Sequence, residues 1–383
     1  MDNPNRNKDL AIFQGLSDEV VLFHPHIPTT AKTKINEVLD SRWIGQGPRV
    51  KDFETKFSSK FAKNQKAIAV GSGTDALHLS YILAGLKSGD EVITTVFTCT
   101  ATNIPFLYMG VKPVFVDIQK DTLNIDPSKI EREITSKTKA IVVVHYGGFP
   151  CDMAEINDIA NKYRLPVIQD SAHALGALYN GKPITEFSDF SMFSFQAIKH
   201  LTTGDGGMIT LNSEALSKKA ERLRWFGIDR EGKQSGIWEN DITEVGYKYQ
   251  MTDLSAALGL AGLEEIDETL DYRKKLLTIY ENELSNFSDV SIVGKSRPDR
   301  THAAWMFTIL VKDRKALQQK LRTFKIESNQ VHFRNDMYSI FEKDNREFPV
   351  MDELEDDYLV LPLHTKVKFE DILRITDIIK TGW

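Results

Sequence analysis

From Ala67 onward the chain alternates short apolar runs with stretches in helical spacing, and that rhythm predicts a fold before any chemistry is considered. Ala67–Val70, Glu91–Thr95, Lys112–Asp117, Ala140–His145 and Pro166–Asp170 read as strands. They are apolar enough to be buried on both faces, as in a mostly parallel sheet. Helical patterns separate them, Asp75–Leu83 among them, and Thr30–Leu39 is a short helix ahead of the first strand. This order predicts an α/β fold, a mostly parallel central sheet with helices on both faces. Leu254–Tyr280 then reads as one long helix with small residues on its packing face. Beyond it, strands at Ala303–Val311 and Ser328–Phe333 and helices at Lys315–Phe324 and Glu370–Lys380 predict a smaller C-terminal α+β domain. The expected organisation is a polar lead-in over 1–24, a large domain over 25–260 and a small domain over 261–383.

Composition narrows the function without naming it. With 383 residues, 41% hydrophobic and 27% charged, a sizeable core is expected. A net charge of -6 and the lack of any Lys/Arg-rich run disfavour nucleic acid as a partner. No apolar run approaches the ~18 residues that span a bilayer, and Met1–Lys8 lacks an apolar leader core, so a cytoplasmic protein without a membrane partner is expected. Cys99 and Cys151 have no metal-ligand spacing, and both are expected to be structural. His302, His332 and His364 have none either, so no metal is expected.

The candidate chemistry sits at predicted strand ends. Ser191–Phe195 alternates as a strand, turns at the isolated Lys199, and passes through Thr202-Thr-Gly-Asp-Gly-Gly207 into a second strand, Met208–Leu211. A lysine of ordinary pKa, about 10.4, is almost fully protonated at pH 7, so a useful amine needs a lowered pKa or a covalent partner. Asp170 also ends a strand, where ligands of open α/β sheets lie; its alternative role is to cap the next helix. Gly71-Ser-Gly-Thr74 lies between a strand and a helix N-terminus, either as an anion site or as a simple cap, and lacks the dinucleotide and P-loop patterns. Phe97, just past a strand end, is either a core aromatic or a flat face for a planar ligand. Trp43, in a glycine-flanked loop, is either core or the wall of a ligand site. An imine-forming lysine and a carboxylate that keeps a pyridine nitrogen protonated are the two groups pyridoxal 5′-phosphate (PLP) chemistry requires, with the anion site left for its phosphate.

The ordered set Trp43-Ile-Gly-Gln-Gly-Pro48, Gly71-Ser-Gly-Thr-Asp-Ala-Leu77, Gly89-Asp-Glu-Val-Ile93, Gln169-Asp-Ser-Ala-His-Ala174, Ser194-Phe-Gln-Ala-Ile-Lys199 and Thr203-Gly-Asp-Gly-Gly207 resembles the DegT/DnrJ/EryC1/StrS family of nucleotide-sugar aminotransferases, fold type I PLP enzymes. The resemblance runs from about residue 23 to about residue 265, with weaker echoes beyond. It implies Lys199 as the imine-forming residue and proton carrier, Asp170 on the pyridine nitrogen, Phe97 stacked on the ring, and His173 near its face or phenolic oxygen. It further implies Gly73, Thr74 and Ser194 on the phosphate. Relatives with histidine in place of Lys199 dehydrate the sugar instead, so lysine favours transamination.

One departure stands out: Gly246-Tyr-Lys248-Tyr-Gln-Met251 carries lysine where the family has an asparagine reaching the neighbouring subunit's cofactor phosphate. Lys248 is therefore expected either on phosphate as a point charge, on the sugar diphosphate, or at the surface. Trp225, Arg230 and Tyr247, a mixture of cation and aromatics, are candidate contacts to a sugar nucleotide or else ordinary packing; the tract from Arg230 to Asp241 reads as a surface loop. His332 resembles a family residue that lines the substrate cleft. The implied reaction moves the amino group of L-glutamate, through the pyridoxamine form of the cofactor, to a keto group of a nucleotide-linked deoxysugar, as in 3- or 4-amino sugar synthesis for surface polysaccharide. A homodimer with shared active sites goes with it. The alternatives are a sugar dehydratase on the same cofactor and a non-catalytic sugar-nucleotide-binding regulator.

Overall fold

A computed structural model describes residues 19–63, 65–239, 241–341 and 346–383; the part of the expected lead-in up to residue 18 lies outside them. The strands, in chain order, are β1 (Lys66–Val70), β2 (Glu91–Thr95), β3 (Phe97–Thr98), β4 (Lys112–Val116), β5 (Thr138–Val144), β6 (Val167–Asp170), β7 (Leu178–Tyr179), β8 (Lys182–Pro183), β9 (Phe190–Ser194) and β10 (Gly207–Leu211). They continue as β11 (Val290–Ile292), β12 (Arg300–Thr301), β13 (Phe307–Val311), β14 (Phe333–Arg334) and β15 (Tyr358–Leu361). Seven of them form the central sheet in the order β1-β10-β9-β6-β5-β2-β4. Every neighbouring pair from β9 to β4 is parallel, and β10 alone runs against both of its neighbours.

Alternation along each strand explains why both faces are dry. Ile68 and Val70 pack with Leu77, Leu79 and Phe106 on one face, whereas Ala67 and Ala69 pack with Phe53, Phe57 and Phe193 on the other. Val142 and its neighbours Ile141 and Val143 divide in the same way. Successive side chains of a strand point to opposite faces, so a strand apolar at every position needs helices on both sides.

The long helix Asp253–Leu284 joins two cores. Its Ala256, Leu260, Ile266 and Leu270 lie under the central sheet. Its Leu276, Leu277, Tyr280 and Leu284 pack against the antiparallel sheet β11-β13-β15 and the helices Arg314–Thr323 and Phe369–Lys380. The division expected at 260/261 thus falls inside a continuous helix. Val20 joins the second core and bridges Ile326, while the Leu22 N–H donates to Glu327 at 2.8 Å.

Three expectations need correction. The strand expected over Ala303–Val311 begins only at Phe307. The N–H groups of Ala303, Trp305 and Met306 donate to the carbonyls of Gly148 and Gly147, and Ala304 has φ +56°, so this stretch leaves the ladder and becomes a loop. Of Ser328–Phe333, only Phe333 joins a strand, in the two-residue pair β14 with β3, because His332 adopts φ +68°. The surface tract after Trp225 contains a short helix, Arg230–Gln234.

Candidate active site

The site forms where β6 and β9 end, beyond their carboxyl edge. β6 delivers Asp170, which is only 5% exposed. Its Oδ2 accepts a bond from the Thr102 hydroxyl at 2.7 Å, and its Oδ1 accepts from the Ala172 N–H at 3.1 Å. Burial raises the carboxyl above its usual range, while Thr102, the Ala172 N–H and the charge of Lys199 pull it back.

Lys199 lies in the loop after β9, half-buried, with Nζ 3.7 Å from the centre of the Trp305 ring. Burial lowers its amine from 10.5 to about 8, against the opposing charges of Asp170 and Cys99 and with help from Arg273. The ring contact favours the ammonium by about 0.5–2 kcal/mol. A shift of this size corresponds to about 3 kcal/mol, so burial wins.

Trp305 is the centre of a stack. Its ring lies 3.7 Å from that of His173 at 11°, and His173 lies 5.1 Å from His332 at 4°. The two imidazoles approach at Nε2, 3.3 Å apart. Burial, with Lys199 adding to it, lowers both histidines, His332 to about 3. Both rings are therefore neutral at pH 7, and one Nε2–H donates to the other. Arg273, 3% exposed on the long helix, fixes the loop that carries Trp305: Nε donates to the Ala304 carbonyl at 2.9 Å and Nη2 to that of Trp305 at 2.8 Å.

The anion end is built by close approach. The helix Gly73–Leu83 starts directly after β1, and its cap residue Ser72 accepts from the Asp75 N–H at 3.0 Å. The cap reading of this turn holds, and a cap leaves the first N–H groups, of Gly73 and Thr74, without helical acceptors and free to meet an anion. A Cβ on Gly73 would stand 2.9 Å from the Ser194 Cβ and 3.1 Å from its Oγ, so glycine is what lets the serine face this turn. On the far side a Cβ on Gly207 would stand 2.3 Å from the Ser72 carbonyl, which accounts for the glycine opening β10.

This arrangement fits pyridoxal 5′-phosphate. A buried carboxylate suits the ring nitrogen, a half-buried amine suits the aldehyde, and the Gly73–Thr74–Ser194 turn suits the phosphate. His173 Nδ1 is buried without a hydrogen-bond partner among the described residues, as a group left to meet a polar atom of a bound cofactor would be.

Other expected residues lie elsewhere. Phe97 is a correction: it is 1% exposed and packed between Tyr146 and Tyr358, at 5.1 and 5.0 Å, so no ring face remains for a cofactor. Its strand β3 pairs with β14 and turns the side chain into the core. Cys99, expected to be structural, is half-buried at the start of the helix Thr100–Tyr108, near Lys199. Cys151 is buried and donates to the Val144 carbonyl at 3.1 Å, and His200 is held by the Ala303 carbonyl at 2.8 Å. Trp43 and Arg230 line a cavity of about 730 Å³ that touches neither Lys199 nor Asp170. Arg230 also binds Gln46 Oε1 at 2.9 Å and lies 5.4 Å over Trp225. Tyr247 stacks on Tyr249 at 4.9 Å, and Lys248 is exposed with Nζ 5.3 Å over Phe226. Of the substrate candidates, only His332 joins the lysine site.

Trp305, Arg273 and Thr102 belong to the site without a sequence signature of their own. The apolar run around Trp305 matched a strand, and Arg273 matched a helix, so neither local pattern pointed to the site. The spacing of Thr98 and Thr102 after a strand end was the one available signal.

Comparison with known proteins agrees with this geometry. The profile of the DegT/DnrJ/EryC1/StrS aminotransferase family matches residues 25–380. The GDP-perosamine synthase of Escherichia coli O157:H7 is 33% identical over 362 residues, covering 94% of this chain and 97% of its own. The crystal structure of the sugar aminotransferase CalS13 from Micromonospora echinospora superposes with a TM-score of 0.90 at 31% identity, covering 95% of this chain and all of that one. The PLP form of a putative sugar aminotransferase from Streptococcus pneumoniae gives a TM-score of 0.88 at 29% identity, covering 95% of this chain and 97% of that one.

Proposed function

Because the chain belongs to the DegT/DnrJ/EryC1/StrS aminotransferase family, we propose that it transfers the amino group of L-glutamate to a keto group of a nucleotide-linked deoxysugar, giving a 3- or 4-amino sugar. The observation that carries this reading is that the half-buried amine of Lys199 and the buried carboxylate of Asp170 lie near enough to feel each other's charge. When bound, PLP would supply an electron sink for the carbanion and an aldehyde carbon to carry the amino group between donor and acceptor.

The chain's own groups do the rest. Asp170 holds the ring nitrogen in its protonated form. Lys199 offers an amine lowered to about 8, near enough to neutrality to take and return a proton. Gly73, Thr74 and Ser194 hold the phosphate, and His173 contacts the ring. Trp305 and His332, from the smaller domain over 261–383, close the site over the residues of the larger one over 25–260. In a homodimer, Lys248 serves the phosphate bound to a second copy, while Trp43, Trp225, Arg230 and Tyr247 are offered to the sugar nucleotide. The cytoplasm is the proposed compartment. Among the described residues no helix is long and apolar enough to cross a membrane.

Incubation with glutamate and a panel of keto-sugar nucleotides tests the reading, starting with GDP-linked sugars because of the relative's name. Product mass and released 2-oxoglutarate are the measurements. Lys199→Ala should abolish turnover, and turnover that persists in it would refute the assignment.

A further inference from the structure

Asp170 ends a chain of two buried threonine hydroxyls. Thr102, fully buried, donates to it at 2.7 Å, and Thr98 Oγ1, also buried, lies 2.9 Å from Thr102 Oγ1. An ionised carboxylate only accepts, so the single Thr102 hydroxyl proton points to Asp170 and the Thr98 hydroxyl must donate to Thr102. The direction of the relay is thus fixed by the charge at its end. Both threonines are themselves held: the Tyr81 hydroxyl donates to the Thr102 carbonyl at 2.9 Å, and Asn335 Nδ2 donates to the Thr98 carbonyl at 2.8 Å. Asn335 follows shortly after His332, so the relay also ties the cofactor carboxylate to the segment that brings His332 to the site.

We propose that Thr102 is a positioning residue for the reaction: its hydroxyl, oriented by Thr98, keeps Asp170 ionised and aimed, so that the carboxylate is ready for the ring nitrogen of PLP. This rests on the role given to Asp170 above. The groups facing Asp170 are Thr102, the Ala172 N–H, Lys199 and Tyr81, whose own pKa burial raises far beyond the working range. Lys199 is cationic at acidic pH in any variant, so a change at Thr102 alters one influence on the carboxylate and leaves the others in place. Removing a hydrogen bond to the charged form raises a carboxyl pKa.

The test is the dissociation constant of PLP from the full-length protein, followed by absorbance across the acid range, for the wild type and for T102V, T102S, T98V and D170N. PLP's own ionisations are common to all five proteins and cancel in the comparison. In T102V the acid loss of PLP affinity should move up by about one pH unit, T102S should restore the wild-type midpoint, and T98V should shift it less in the same direction. The T98V measurement decides the matter if T102V does not fold. Affinity weakened equally at every pH in T102V, or no midpoint change in T98V when T102V is unfolded, overturns the proposal. If D170N retains the wild-type affinity and pH profile, the role of Asp170 itself falls, and the proposal with it.

Discussion

Replacing Lys199 with methionine should stabilise the protein in its cofactor-free form. The amine has a folded value of about 8 against an ordinary value of 10.5, because the folded protein partly buries it. Below pH 8 it is protonated in both the folded and the unfolded chain, and the folded state carries the full cost of that charge. Between the two values the unfolded chain binds the proton and the folded one does not, so wild-type stability rises with pH over that window. Methionine, of similar length and without charge, escapes the cost. The shift corresponds to about 3 kcal/mol at pH 7 and about 1.4 kcal/mol at pH 9.5. Contact with Trp305 returns about 0.5–2 kcal/mol to the wild-type ammonium, so the net gain at pH 7 is about 1–3 kcal/mol. Thermal unfolding of both apoproteins at the two pH values measures it. The variant should melt a few degrees higher at pH 7, with the gap narrowing toward pH 9.5. A variant melting at or below the wild type at pH 7, or a gap independent of pH, would refute the claim that this amine is held against its charge.

Three further outcomes follow from the geometry. Gly73→Ala places a Cβ 2.9 Å from the Ser194 Cβ; it should cost about 1–3 kcal/mol of stability and weaken PLP binding, and unchanged melting with unchanged affinity would contradict the close approach. Lys248→Ala should accelerate loss of PLP on dilution if this exposed lysine serves the cofactor of a second copy, and retention equal to wild type removes that role. His332→Asn, chosen because asparagine tolerates the φ of +68° at this position, should raise KM for the sugar nucleotide while leaving the absorbance of bound PLP intact; an unaltered KM would take His332 out of the substrate cleft.

Much of this protein was legible along the chain. Strands apolar at every position announced a sheet covered on both faces, and strand ends located Asp170 and Lys199, because α/β sheets place ligands beyond their carboxyl edge. Gly73 and Ser194 were legible because a helix start and a strand end each carry a local signature. Phe97 shows where such reading fails. Its place after a strand end suited a ring-stacking role, yet two hydrogen-bonded residues of β14, far along the chain, turned it into the core. The loop at 303–306 escapes sequence reading for a related reason: its backbone donors go to Gly147 and Gly148 rather than to a neighbouring strand, and periodicity does not reveal a distant acceptor.

The layers, the order of elements and the positions of Asp170 and Lys199, the two groups proposed to define the chemistry, are readable along the chain, since side-chain period and strand-end position are properties of neighbouring residues. Which residues surround those groups is settled by folding: Trp305 against the amine, Thr102 on the carboxylate, His332 against His173, and Cys99 near Lys199. The reason is that burial and hydrogen bonding depend on which distant segments pack together, and it is burial that moves the amine of Lys199 from 10.5 to about 8.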